Sequence, residues 1–138
     1  MRSRILVGLF LVVGALTTGT VATSGDRIAS GRQWAIVYLT EPTLVGSTIV
    51  QGPVLITHDG AKMARGEPCT TVDLFDPKGG RVEEIASFHC IPTPRPVVRK
   101  FTIQTRPNLA LGYGCILAEY QFAGEAEAHG VPTPGDGE

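Results

Sequence analysis

Thr70-Thr-Val-Asp-Leu-Phe75 and Val82-Glu-Glu-Ile-Ala-Ser-Phe88 stand on either side of Asp76-Pro-Lys-Gly-Gly80. No other stretch restricts the fold as tightly. Two runs rich in β-branched and aromatic residues, joined by about five residues that include two glycines, form a β-hairpin. The rest of the chain is built the same way. Trp34–Thr40 reads as a strand bounded by Glu41-Pro42, and Leu44–Val50 as a weaker strand with Gly46 at a bulge. Gln51-Gly-Pro53 punctuates, and Val54–His58 is the next strand. Asp59–Pro68 connects, with Ala61–Arg65 able to close one helical turn. Ile91–Pro96 holds three prolines and is excluded from a central strand. Val97–Thr105 and Tyr113–Phe122 supply the last two strands. Turn signals thus recur every eight to twelve residues or so, and no segment past the N-terminus carries a helical apolar stripe over three turns. The expected fold is all-β: a single antiparallel β-sandwich or small barrel of about six to seven strands.

The N-terminus reads as a targeting segment. Arg2 and Arg4 precede an apolar run from Ile5 to Leu16, too short to span a bilayer, and Thr20 and Ala22 suit a cleavage site after Ala22. The expected organisation is a signal peptide over residues 1–22, a flexible extension over 23–33, the β-domain over 34–123 and a flexible acidic tail over 124–138. The mature chain of about 116 residues is one domain's worth and can bury a proper core. The formal charge is −1 for the whole chain and becomes −3 once Arg2 and Arg4 are removed. With no basic block, that balance argues against a nucleic-acid or anionic-membrane partner. The expected location is outside the cytoplasm, in the periplasm or the medium.

Chemistry concentrates between Pro53 and Cys90, which hold two of the three cysteines, two of the three histidines and the only internal methionine. If the hairpin closes symmetrically about Lys78 and Gly79, Cys69 faces Phe88 and Cys90 is its diagonal neighbour. A Cys69–Cys90 disulfide would close a loop of about 22 residues, worth roughly 3 kcal/mol in the chain-entropy model. Pairings through Cys115 stay open, because sequence does not fix connectivity. If Cys69 and Cys90 pair, Cys115 is left as a free thiol, read as a small buried apolar residue. Imidazole with thioether or thiolate is a donor set for copper, and imidazole with thiolate also suits zinc. The candidate metal site therefore comprises His58, Met63 and His89, completed by Cys90 or His129. The competing reading makes His58 a hydrogen-bonded strand end and Met63 a gap filler.

Two motifs, His58-Asp-x-x-x-Met63 and Phe88-His89-Cys90-x-Pro92, resemble those of small exported bacterial β-domain proteins, a resemblance that implies no activity. The donor set is also similar to those of cupredoxins and of periplasmic His/Met copper-chaperone domains. It departs from the former because Met63 comes early and His89 precedes Cys90, and from the latter because no methionine follows His89. Other chemistries find less support. Glu83 and Glu84 point to opposite faces of one strand, and there is no Gly-x-Ser-x-Gly elbow, no phosphate loop and no Cys-x-x-Cys-His. The expected function is an exported binding domain, not an enzyme, with copper the favoured metal. The alternatives are a structural or protein-interaction sandwich of the cell envelope, meeting a partner through an edge strand, and a thiol-dependent enzyme.

Overall fold

A computed structural model describes residues 31–134. The expected signal peptide, residues 1–22, lies outside the described residues. The elements run β1 (Arg32–Val45), β2 (Thr48–Asp59), a one-turn helix α1 (Gly60–Ala64), β3 (Thr70–Asp76), β4 (Gly80–Phe88), β5 (Ile91–Pro94), β6 (Thr102–Pro107), β7 (Cys115–Gln121) and β8 (Glu127–Gly130). The fold is all-β. It departs from the expectation in having eight strands and a mixed sheet, ordered β4-β3-β2-β1-β7-β8-β5, with β6 also paired to β7. The parallel contact is short: Thr43 and Leu44 of β1 lie opposite Cys115 and Ile116 of β7. Every other pairing is antiparallel.

Alternation along β2 and β3 fixes what faces inward. Val54, Ile56 and His58 share one face of β2, opposite Leu74, Val72 and Thr70 of β3. With Leu39, Val45, Val50, Leu117, Tyr120, Phe122 and Val131, the apolar members of this face make the core. Burying residues such as Ile56 and Val72, both fully enclosed, contributes about 1.5–3 kcal/mol each. His58 and Thr70 continue the same face beyond the apolar part, so the register carries two polar side chains into the interior.

Four local expectations are corrected. Glu41-Pro42 does not end a strand: β1 continues to Val45 through a bulge in which Thr40–Pro42 oppose only Gln51. Proline is tolerated there because a bulge has no ladder bond for its missing N–H to lose. The chain reverses instead at Gly46-Ser47, with Gly46 at φ +60°, so Gly46 is a turn residue and not a bulge within a strand. Gln51-Gly-Pro53 lies inside β2. The residues from 124 onward do not form a flexible tail throughout, because Glu127–Gly130 is β8, paired to both β5 and β7.

The hairpin of β3 and β4 forms as expected, with Asp76 accepting a hydrogen bond from the Lys78 N–H at 2.9 Å in its turn. The turn centres on Lys78, with Asp76 opposite Gly80, and two irregularities in the ladder, between Val72 and Asp73 and between Leu74 and Phe75, each shift the register by one residue. Thr70 therefore pairs with Phe88, where symmetric closure would have set Cys69 there.

Candidate metal centre

The site is assembled where three chain segments end. Asp59, the last residue of β2, caps α1 by accepting from the Ala61 and Lys62 N–H groups at 3.0 and 3.3 Å. Its own N–H donates to the Cys69 carbonyl at 2.8 Å. The Gly60–Pro68 excursion therefore returns to its starting point and sets Cys69 beside His58. Cys90 follows the end of β4, and its N–H donates to the Cys69 sulfur at 3.2 Å. β8 supplies His129, which lies opposite Tyr120 of β7 and Pro92 of β5.

His58, Cys69 and Cys90 are all buried, and one donor atom from each lies within 4.8 Å of the others. The two sulfurs are 3.0 Å apart as free thiols, so the expected Cys69–Cys90 bridge is not formed, although its partners are adjacent. The His58 Nε2 is buried and has no hydrogen-bond partner among the described residues. His129 stands alongside: its ring lies 4.3 Å from that of His58, and its Nδ1 is 3.5 Å from the Cys90 sulfur. On its other side the ring stacks on Tyr120 at 4.9 Å, and the Tyr120 hydroxyl is hydrogen-bonded to that of Thr70.

A chain of polar contacts leads outward from the sulfurs. The His129 Nε2 is 3.2 Å from the Glu125 carboxylate, which also accepts from the Gln33 side-chain amide at 2.9 Å. A carboxylate only accepts, so in the neutral ring Nε2 carries the proton and Nδ1 presents its lone pair to Cys90. This carboxylate–imidazole arrangement is the one that orients histidines toward metals.

Burial governs the electrostatics. It lowers the His58 pKa below the usual histidine range, reinforced by neighbouring His129 and opposed by Glu125 and Asp59. Burial, with the Cys69 thiol beside it, pushes the Cys90 thiol up to about 12. Tyr120 is likewise pushed up by burial. Burial therefore favours the neutral forms of His58 and Cys90.

The structure brings together His58, Cys90 and His129 from the expected donors and adds Cys69, which sequence reasoning assigned only to a bridge. Met63 and His89 are not brought in. Met63 is 46 % exposed on α1, which buries none of its residues. His89 falls between Phe88 and Cys90 and faces solvent. The group accordingly has no thioether and is an imidazole–dithiol set. Cys115 is buried elsewhere, 3.2 Å from the Thr43 hydroxyl. Sequence reasoning also missed Glu125 and Gln33, whose only signal was the four-residue spacing between Glu125 and His129.

Fold and cluster together define an all-β domain with a buried thiol–imidazole group. Comparison of the chain with protein-family models, curated proteins and solved structures returned no match.

Proposed function

We propose that this chain is a small binding domain for one thiophilic metal ion, with His58, Cys69 and Cys90 as ligands. The observation that carries the reading is the His58 Nε2, a buried nitrogen without a partner among the described residues, in a cluster with two thiols. Leaving such a group unsatisfied costs about 1–3 kcal/mol. A metal bond removes that cost. The neutral imidazole is already in its ligand form, and both thiols lose their protons when metal binds. Two thiolates and an imidazole suit Cu(I) and Zn(II). Zinc prefers four ligands, and the Nδ1 of His129 is the candidate for the fourth.

Cys90, His129 and Glu125 also stand in the order of nucleophile, base and orienting acid. Catalysis is disfavoured because Cys90 and His129 are both buried and the Cys90 thiol is held at about 12. These features suit a ligand that a cation deprotonates better than a free nucleophile.

The test is titration of the reduced chain with Cu(I) and with Zn(II), followed by thermal unfolding. Free metal at one hundred times Kd adds about 2.7 kcal/mol, which raises Tm by on the order of 10 °C in a domain of this size. His58→Gln and Cys69→Ser abolish the rise, while His89→Gln and Met63→Leu retain it. No rise with either metal, in protein whose three thiols are titratable, would leave a purely structural β-domain.

A further inference from the structure

β1 stands between β2 and β7 in the sheet, yet only Thr43 and Leu44 pair with β7. Arg32–Leu39 pair with β2 on one side. On the other side, among the described residues, no backbone hydrogen bond leaves Trp34–Thr40. This length of β1 is therefore a free edge inside the strand order. Ala35 and Val37, which pack toward the core, are only half-buried there, whereas Leu39 on the same face is buried.

Free edges are ordinarily blunted by charges, prolines or bulges. The other edges of this sheet follow that rule. β4 carries Arg81, Glu83 and Glu84 with two register shifts, β5 carries Pro92 and Pro94, and β6 carries Arg106, Pro107 and one register shift. Trp34-Ala-Ile-Val-Tyr-Leu-Thr40 has no charge and no proline, and its register with β2 is unbroken up to Leu39. Its outer face is a row of Trp34, Ile36 and Tyr38, at 50, 41 and 62 % exposure. An unguarded edge beside an exposed aromatic row is a site for strand addition.

We propose that two copies of this chain pair through this edge, β1 against β1, antiparallel and about a two-fold axis at Ile36. The strand is self-complementary in that register. A two-fold axis perpendicular to the sheet sets opposite each other only residues of the same face. With Ile36 opposite its own copy, Trp34 of each chain faces Tyr38 of the other, and aromatic cross-strand pairs stabilise antiparallel ladders. Ala35 faces Val37, which covers the half-buried inner positions. Arg32 falls opposite Thr40 and one residue from Glu41 of the second copy, and neither charge forms an ion pair within its own chain among the described residues. Moving the axis to Ala35 or to Val37 gives up the aromatic pair, setting Trp34 opposite Ile36 or Thr40. One short ladder is small beside a standard interface of about 800 Å² per partner, so association is expected at micromolar concentrations.

The experiment is sedimentation velocity of the full, metal-free chain over a wide range of concentration, read together with the emission of Trp34, the only tryptophan. The dimer fraction should rise with concentration, and the Trp34 emission should shift to the blue with it. Ile36→Lys sets two like charges against each other at the axis and should abolish both changes. Ile36 is exposed, so circular dichroism of this variant should show the fold kept. Trp34→Lys and Tyr38→Glu should each weaken association by on the order of ten-fold. The two together in one chain should recover most of it, because each Lys then faces a Glu. Val82→Lys, on the charged edge at β4, should change nothing. A chain that stays monomeric throughout, a dimer that survives Ile36→Lys, or a double variant no better than the single ones would overturn the proposal. So would a monomer whose Trp34 emission shifts when phosphatidylcholine vesicles are added, which would assign the aromatic row to a lipid surface.

Discussion

At the residue scale, His58 holds the strongest tension in the molecule. Strand alternation carries it inward, yet its Nε2 has no partner among the described residues and burial disfavours its charged form. The groups facing it are His129 from β8, Glu125 from the turn before β8, Asp59 on its own strand, and the two thiols. Its folded pKa lies below its unfolded value of about 6.5, so the unfolded chain binds more protons through that window and stability rises with pH there. His58 therefore contributes its full share above about pH 6.5. That share is lost as pH falls toward and through the lower folded value, at no more than about 1.4 kcal/mol per pH unit for one proton. Denaturant unfolding of the metal-free reduced chain between pH 7.5 and 5 should give a steeper loss for wild type than for His58→Gln. Parallel curves for the two proteins would mean that His58 is solvated in its charged form. The identity of this residue as a candidate donor was legible in the sequence, because strand-end position and donor chemistry can both be read locally. The choice of its companions was not. Met63 follows His58 closely and His89 adjoins Cys90, whereas Cys69 is delivered by a loop closure and His129 by a strand far downstream.

At the element scale, the decisive features are those where two elements touch through backbone alone. Gly114, at φ +70°, lies against the Pro42 carbonyl, and a Cβ there would run into that oxygen. Gly112 has a similar φ of +73° but open space around it. Gly112→Ala should therefore cost only the left-handed penalty of about 1–2 kcal/mol. Gly114→Ala should cost clearly more, because it also separates the β1 bulge from the start of β7. Chemical denaturation of the two variants checks the difference, and equal costs would mean that the Pro42 contact yields freely. The β3–β4 hairpin could be read from its turn residues, since Asp-Pro-Lys-Gly-Gly makes its own geometry. Its two ladder irregularities could not, because no residue at either position carries a local turn or bulge signal. Pro42 misled for a related reason: a proline ends a strand by itself but is accommodated where a bulge removes the bond it cannot make.

At the scale of the whole molecule, the candidate site lies where the β2–β3–β4 end of the sheet meets the β7–β8–β5 end. β8 is the hinge of that meeting and the element least visible in the sequence, because its acidic, glycine-rich surroundings carry the composition of a tail. What ties it down is long-range. Ala128, His129 and Val131 are buried, the Val131 N–H donates to the Ala118 carbonyl at 2.8 Å, and among the described residues β5 pairs only with β8. Ending the chain at Gly124 would expose the faces of Tyr120 and Phe122 that pack near His129 and leave β5 unpaired. Burial of Val131 alone contributes about 1.5–3 kcal/mol, and at least one fully desolvated ring is lost with His129. Against a total stability of about 5–15 kcal/mol, the truncated chain should be largely unfolded or melt far below the full chain by circular dichroism. A flexible tail in the same place would be removed at almost no cost, so an unchanged melt would show that β8 does not hold the two ends together. His129→Asn, which keeps the strand and shortens the ring, separates the two contributions: it should weaken metal binding while leaving most of the stability that truncation destroys. The site is then a consequence of β8 packing back against the end of β2, present only when the last strand has returned beside His58.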